Sequence, residues 1–379
     1  MRKALFSITP IVFLLLPMFA RTAFWVPSGI FGLNIFSLNK VEKSAPSAES
    51  DAASKVRSRI SEAKRQLAAA GAPGLNFVRL AAEDPLDARI HLLTLSKDTF
   101  LTKDAEAVLT TSLGSTVRLH VVRANGVNTA VDIYDNATGR QLSPLAVQYP
   151  IVRNGVVSEM GYYTSAHPAI ESPEVMQDGR DYVHRMLNLA ASRLEEKGTK
   201  VAPEIIDVAE HLCIVEHTDH KRFQTEDRGA LFNEITTLYS LNVGDAYRYS
   251  VSTAGAGGMV QMIPSTYELI RQKYPQANLN PDFVAGMRDH ENALEAMLLY
   301  MQDTWSYLLR QEQVTRALDS QVATPAELLA AGYNSNPVRL SRYLERGESN
   351  WRSLIPRETQ MYLQIYAAVD SLVPMNPRS

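Results

Sequence analysis

The residues of this sequence best suited to acid–base chemistry are glutamates that lie next to apolar runs. Glu216 follows the run "IIDVAEHLCIV" in the stretch "CIVEH", with Phe223 soon after it. Glu226 and Glu234 come later, in "QTEDRGALFNEITTLYSLNVGDAYRY". A carboxyl group buried at the end of an apolar helix has a raised pKa, because burial disfavours its charged form. Such a group can donate a proton near neutral pH, so Glu216 is the preferred general acid and Glu234 the alternative.

A glycine-rich stretch, "SVSTAGAGGMVQMIPSTY", lies further along the chain, just before a helix start. Glycine loses more conformational freedom on folding than other residues, so a cluster indicates a sharp turn or a close approach to the backbone. Two more short motifs follow, "AGYNSNP" and "IPRETQMYL". Each motif alone is typical of a loop or a helix end. Their order along the chain is more specific.

Together these features resemble the lytic transglycosylase family with the soluble-type (SLT), goose-lysozyme-like fold. In that family a glutamate closes a helix, and Ser-x-x-Gly-Ala-x-Gly-Leu-Met-Gln, Ala-Tyr-Asn and Glu-Thr follow in order. The resemblance covers residues 203–373, under half of the chain. The matching residues are Ser252, Gly255, Ala256, Gly258, Gln261, Tyr333, Asn334, Glu358 and Thr359.

The resemblance implies an all-α lysozyme-like domain that cleaves the β-1,4 bond between N-acetylmuramic acid and N-acetylglucosamine in peptidoglycan. Most glycosidases use two carboxylates. The resembled family uses one, which here would be Glu216: it protonates the leaving oxygen and then takes a proton from the C6 hydroxyl, giving 1,6-anhydro products. A supporting role is implied for Glu358, and no cofactor or metal is expected. The implied substrate-binding residues are Ser252, Gly258, Met259, Gln261, Tyr333 and Asn334.

The sequence departs from the resembled pattern at two places near Glu216. His217 stands where serine is usual, and 42 positions separate Glu216 from Gly258, which indicates an inserted segment. Two other functions stay open beside the transglycosylase: a hydrolytic lysozyme-type muramidase and a non-catalytic peptidoglycan-binding scaffold. A metal site in "HLCIVEHTDH" is a weaker alternative, because its histidine spacing fits no metalloprotease motif.

The chain length and the change in the spacing of apolar residues along it predict an α+β chain of several domains. Residues 1–23 begin with Arg2 and Lys3 and continue as an apolar run, which is typical of a signal peptide, with an uncleaved membrane anchor as the alternative. Residues 24–85 indicate a linker with one helix, and residues 86–165 a small β-rich domain with alternating apolar residues. Residues 166–200 indicate a connecting helix and residues 201–379 an all-α domain, which the resemblance implies is the catalytic domain.

These features also predict where the protein acts and what it binds. We expect export to the periplasm or cell envelope, with inner-membrane association if the N-terminal apolar segment is retained. Peptidoglycan strands are the expected partner, and the β-rich domain is a place for a protein partner. The net charge of -3 argues against nucleic-acid binding. Two helix starts are predicted from capping-box spacing, at Ser265 with Glu268 and at Thr324 with Glu327.

Overall fold

Alternating apolar residues build the strands of this protein, and longer apolar runs build its central helices. The computed structural model describes residues 51–378. The predicted signal or anchor segment, 1–23, and residues 24–50 of the predicted linker lie outside the described residues. The described part is of the α+β class, as predicted.

Seven strands form one antiparallel sheet in the described part of the chain. Strand β4 shows the expected alternation, with Val117, Leu119 and Val121 buried. The strands are β1 Phe77–Glu83, β2 Ile90–Ser96, β3 Glu106–Thr110, β4 Thr116–Arg123, β5 Ala130–Asp135, β6 Gln141–Arg153 and β7 Val156–Tyr163.

The sheet is ordered β2-β1-β6-β5-β4-β3, and β7 also pairs with β6. Strand β6 has 13 residues, enough to pair with β5, β1 and β7 along its length. Bulges in β1 and β4 bend the sheet. The Ser112 amide, beyond the end of β3, donates to the Leu92 carbonyl of β2 at 2.9 Å. The sheet therefore curves until its two ends nearly meet.

Thirteen α-helices lie within residues 51–378, and within that range none is both long and apolar enough to cross a membrane. They are α1 Asp51–Ala69, α2 Lys97–Phe100, α3 Pro173–Glu196, α4 Pro203–Val215, α5 His220–Thr225, α6 Arg228–Leu241, α7 Pro264–Lys273, α8 Phe283–Arg288, α9 His290–Leu308, α10 Glu312–Asp319, α11 Pro325–Asn334, α12 Leu340–Gly347 and α13 Arg357–Leu372.

Helix α4 lies at the centre of the helical part and packs against α3, α9, α11 and α13. Its residues are apolar around most of the helix, as expected for a helix covered on several sides. Helix α9, also mostly buried, is a second central helix. Helix α13 packs against α4 and α11, which brings it next to the end of α4.

The predicted boundary at residue 85 differs from the structure. The first strand begins at Phe77, inside the predicted linker 24–85. Strand β1 lies between β2 and β6 and is buried on both faces over Leu80–Ala82, so it lacks the alternation that marks a half-buried strand. The linker boundary at residue 85 is therefore wrong.

The predicted connecting helix, 166–200, is part of the helical core. Helix α3 packs against α4, α6 and α9. A Cβ atom on Gly179 would lie 1.8 Å from the Thr236 carbonyl oxygen, so α3 and α6 approach closely only because glycine stands there.

The sheet and the helices share one hydrophobic core. Polar contacts also join them: the Thr164 amide donates to Asn242 Oδ1 at 2.8 Å, and Asn242 Nδ2 donates back to the Thr164 carbonyl at 2.8 Å. The described residues accordingly belong to one compact unit, without a separation at residues 165 or 200.

Candidate functional site

Glu216 stands where α4 ends. Pro203 begins this helix at a position where its missing amide hydrogen costs no hydrogen bond. The Glu216 amide still donates to the Leu212 carbonyl at 2.9 Å, and the chain then turns away. The apolar helix therefore places the Glu216 carboxyl group at the edge of the core, and the Glu216 side chain is half-buried there.

The surroundings of Glu216 favour its protonated form. Burial raises its pKa to about 8, and the nearby negative charge of Glu358 contributes in the same direction. Tyr362 Oη donates a hydrogen bond to Glu216 Oε1 at 2.5 Å, which lowers the pKa but does not offset burial. Within residues 51–378 no cation contributes to this pKa. Most of the Glu216 population consequently carries a proton at neutral pH and can donate it.

The glycine-rich stretch forms a tight loop over residues 250–262. The Gly258 amide donates to the Ser250 carbonyl at 3.1 Å, and the Gly257 amide to the Met262 carbonyl at 3.1 Å. Gly258 has a φ of +68°, and a Cβ atom there would lie 2.1 Å from the Met287 carbonyl oxygen. Glycine is needed at this position because the loop packs directly against α8.

Two of the predicted substrate-binding residues are therefore packing residues. The space beside Gly258 is filled by the backbone of α8, which leaves no room there for a sugar. Met259 has no exposed surface, because its side chain points into the core. The sequence pattern placed both residues in the right loop, but it predicted contact with a substrate where the structure has contact with α8 and with the core.

Ser252 and Gln261 both take part in the hydrogen bonding of this loop. The Ser252 hydroxyl is exposed and accepts from the Ala256 amide at 3.0 Å. Gln261 has a φ of +45°, and its Nε2 donates to the Gly258 carbonyl at 2.8 Å and to Ser250 Oγ at 3.1 Å. Its side-chain oxygen is not engaged in those two bonds, and the residue is half-buried.

Tyr333 and Asn334 stand at the end of α11. Tyr333 Oη donates to the Val260 carbonyl at 2.7 Å, so α11 is fastened to the glycine-rich loop. Burial raises the pKa of Tyr333, and the charge of Glu216 raises it further, so the two side chains are neighbours. Asn334 is half-buried at the last position of the helix, where its amide is partly open to solvent.

His217 and Tyr362 were not among the predicted site residues. His217 Nε2 donates to the Met259 carbonyl at 2.9 Å, and its ring stacks on Tyr247 with centroids 3.4 Å apart. Burial lowers the pKa of His217 to about 3, so the ring is neutral. Tyr362 lies four residues after Glu358, one turn along α13, and that helical spacing was the signal that could have identified it.

Glu234, the alternative acid, and Glu358, the predicted supporting residue, have environments that differ from that of Glu216. Glu234 pairs with Arg222 at 2.7 Å and with Arg123 at 2.5 Å. Burial alone would raise its pKa, but these two guanidinium groups outweigh burial and lower it. Glu234 is thus ionised and joins β4 to the helices, which removes it as a proton donor. Glu358 is exposed in the first turn of α13.

The stretch "HLCIVEHTDH" was the weaker alternative, a metal site, and its side chains lie in separate environments. His211 Nδ1 donates to the Asp207 carbonyl at 2.8 Å, while Nε2 faces Asp370 at 3.2 Å. Cys213 is fully buried. Within residues 51–378 no three His, Cys, Asp or Glu side chains are grouped so as to hold a metal ion.

Three hydrogen bonds thus assemble the site from four separate segments. They link Tyr362 to Glu216, His217 to the Met259 carbonyl, and Tyr333 to the Val260 carbonyl. All four sequence motifs therefore meet at the end of α4. Comparison of the chain with known protein families, with curated proteins and with solved structures gives no match.

Proposed function

We propose that the protein cleaves the β-1,4 bond between N-acetylmuramic acid and N-acetylglucosamine in peptidoglycan, as a lytic transglycosylase of the cell wall. The observation that carries the proposal is Glu216 itself: a half-buried carboxyl group with a pKa of about 8, held by Tyr362 where a central helix ends. The helical part, from α4 onward, would correspond to the lysozyme-like domain.

A single glutamate suffices for this reaction because it is both acid and base in turn. Protonated Glu216 gives its proton to the glycosidic oxygen as the bond to C1 breaks. The carboxylate left behind takes the proton of the C6 hydroxyl while that oxygen bonds to C1, so an anhydro ring forms and Glu216 regains its proton. Between these steps the Tyr362 hydroxyl stabilises the carboxylate, since it already donates to Oε1.

Partly open polar groups on the segments that meet at the end of α4 are the proposed contacts for the sugars. They are the Asn334 amide, the side-chain oxygen of Gln261, for which no partner is seen within residues 51–378, and the exposed Ser252 hydroxyl. In the proposal, Gly258 and Met259 shape the loop without touching the substrate. The expected export to the cell envelope fits a peptidoglycan substrate.

The test is to incubate the protein with purified peptidoglycan and to measure the masses of the released muropeptides. Anhydro products support the proposal. Products heavier by one water would indicate a hydrolytic muramidase, and no product from folded protein would indicate a binding scaffold.

Two matched variants identify the acid. Glu216→Gln should lower the rate by about 10²–10⁴-fold, the usual contribution of a general acid. Glu226→Gln removes an exposed glutamate of the inserted segment and should keep nearly full activity. Equal activity of Glu216→Gln and the unmodified protein would refute the assignment.

A further inference from the structure

A groove of about 590 Å³ lies between the β6–β7 turn and the start of α8 and α9. Its charged lining is Arg153, Arg248, Arg288, Asp282 and Asp289, and we call it the arginine groove. Both the sheet and the helices contribute to it. The β-rich part, for which the sequence indicates no role, thus forms one wall of a surface depression.

Two of the three arginines are held in place by Glu159 on β7. Arg288 Nη1 donates to Glu159 Oε2 at 2.7 Å, and Arg248 Nη2 lies 3.4 Å from Oε1. The Tyr249 hydroxyl also donates to Oε1, at 2.9 Å, and the Arg288 guanidinium lies 5.3 Å from the centre of the Tyr249 ring. These two guanidinium groups are therefore fixed, with N–H groups beyond those bound to Glu159.

Arg153 differs from the other two arginines of the groove because Glu159 does not bind its guanidinium. It is the last residue of β6, is exposed, and makes no ion pair or hydrogen bond through its guanidinium with residues 51–378. Asn154 and Gly155 follow with φ values of +52° and +77°, as in the tight two-residue hairpin turns that match strand twist. Arg153 therefore stands at the start of a tight hairpin turn, and its guanidinium is open to a ligand.

The acidic residues limit which ligand fits. Asp282 Oδ1 accepts from the Ala285 amide at 2.7 Å, and Asp289 Oδ1 accepts from the Glu291 amide at 3.0 Å, so each begins a helix. Both carboxylates are exposed on the same groove as the arginines. A phosphate dianion would meet two negative charges there. A ligand with both a carboxylate and an amine would find a partner for each.

We propose that the arginine groove binds a short peptide that carries a free carboxylate and an amine, with Arg153 as the carboxylate contact. The groove residues adjoin the two ends of the contacts that hold the glycine-rich loop, which is one of the segments of the candidate site. Arg288 follows Met287, whose carbonyl packs on Gly258, and Arg248 lies two residues before Ser250, which accepts from Gln261. Resting on the proposed function, this assigns the groove to the peptide that substitutes the glycan.

Binding of a lysine-containing tripeptide to the full chain, measured by calorimetry, tests the groove without any catalysis. The matched ligand is the same peptide with an amidated C-terminus. We expect the free carboxylate to bind about fivefold more tightly, and Arg153→Ala to remove that difference, as for one partly exposed ion pair. Arg118→Ala, an exposed arginine on β4, is the control and should change nothing. Equal affinity for the two peptides, or displacement of the peptide by inorganic phosphate at equal concentration, would overturn the proposal.

A second measurement links the groove to the glycan and separates the two proposals. The Glu216→Gln chain, which cannot turn over the substrate, is mixed with glycan strands that carry peptides and with strands stripped of them by an amidase. Tighter binding of the peptide-bearing strands that depends on Arg153 supports the groove. Equal binding of both strands would refute it and leave the proposed function standing. Binding of the free peptide but of neither strand would refute the proposed function alone.

Discussion

Replacing Glu216 by glutamine should stabilise the folded protein at high pH. The folded protein raises the pKa of this carboxyl group from its ordinary value of 4.5 to about 8. The folded state thus binds the proton more tightly than the unfolded state does. The contribution to stability is fully present below pH 4.5, falls as pH rises towards 8, and stays low above that. Glutamine is uncharged throughout, so it avoids this loss.

The size of this stability difference follows from the two pKa values of Glu216, 4.5 in the unfolded and about 8 in the folded protein. Each unit between the two pKa values corresponds to about 1.4 kcal/mol, so the ionised carboxylate costs the fold at most about 5 kcal/mol. Glu216 is half-buried, and a partly open site feels a higher effective dielectric, so we expect about 2 kcal/mol. The glutamine oxygen can still accept from Tyr362, so the hydrogen bond is kept.

Urea unfolding of the two proteins at about pH 5 and about pH 9, followed by tryptophan fluorescence, measures this difference. The variant should be more stable by about 2 kcal/mol at the higher pH and nearly equal at the lower one. Glu345→Gln, which removes an exposed carboxylate on α12, is the control and should change stability by less than about 0.5 kcal/mol at both. A variant less stable than the unmodified protein at about pH 9 would show that Glu216 is not destabilised by burial.

Three further predictions concern the residues around the site. Tyr362→Phe should shift the alkaline limb of the pH–activity profile upward, because the lost hydrogen bond had lowered the pKa of Glu216; a pH titration of peptidoglycan turnover checks this. Gly258→Ala should cost about 3 kcal/mol or more in urea unfolding, whereas Gly255→Ala, with open space at its Cβ but a positive φ, should cost about 1 kcal/mol. Glu234→Gln should destabilise the fold by about 2–3 kcal/mol in the same experiment and leave the shape of the pH–activity profile unchanged, because it breaks pairs with two arginines but touches no reacting group.

Local sequence patterns predicted those parts of the fold that depend on local chemistry. The capping box at Thr324 forms as predicted, with Glu327 Oε2 accepting from the Thr324 amide at 2.9 Å. The equivalent prediction at Ser265 is wrong, although the spacing is the same. Ile263 is the N-cap of α7 and Pro264 its first residue. Ser265 is therefore the second residue of the helix, where its side chain cannot act as the N-cap.

The environments of the motif residues could not be predicted in the same way, because they depend on distant segments. Gly258 and Met259 lie in a recognisable loop, yet α8 covers the first and the core encloses the second. Nothing in the spacing of "GMVQ" shows which helix packs behind it. Glu216 was easier to assign, because the apolar run that precedes it in the sequence indicates a buried helix that ends at this residue.

The two departures near Glu216 are one structural feature. The segment between Glu216 and Gly258, predicted to be an insertion, folds into α5 and α6 and returns to the site at Tyr247, which has a φ of +59° and lies directly on the His217 ring. A serine at position 217 would have no ring for Tyr247 to stack on. Its side chain would also be too short to occupy the position of the histidine ring. The His217 ring stacks on Tyr247, and its Nε2 donates to the Met259 carbonyl. His217 therefore joins the segment after Glu216, the end of α4 and the glycine-rich loop. The segment after Glu216 therefore packs against the candidate site, and His217 makes the contact.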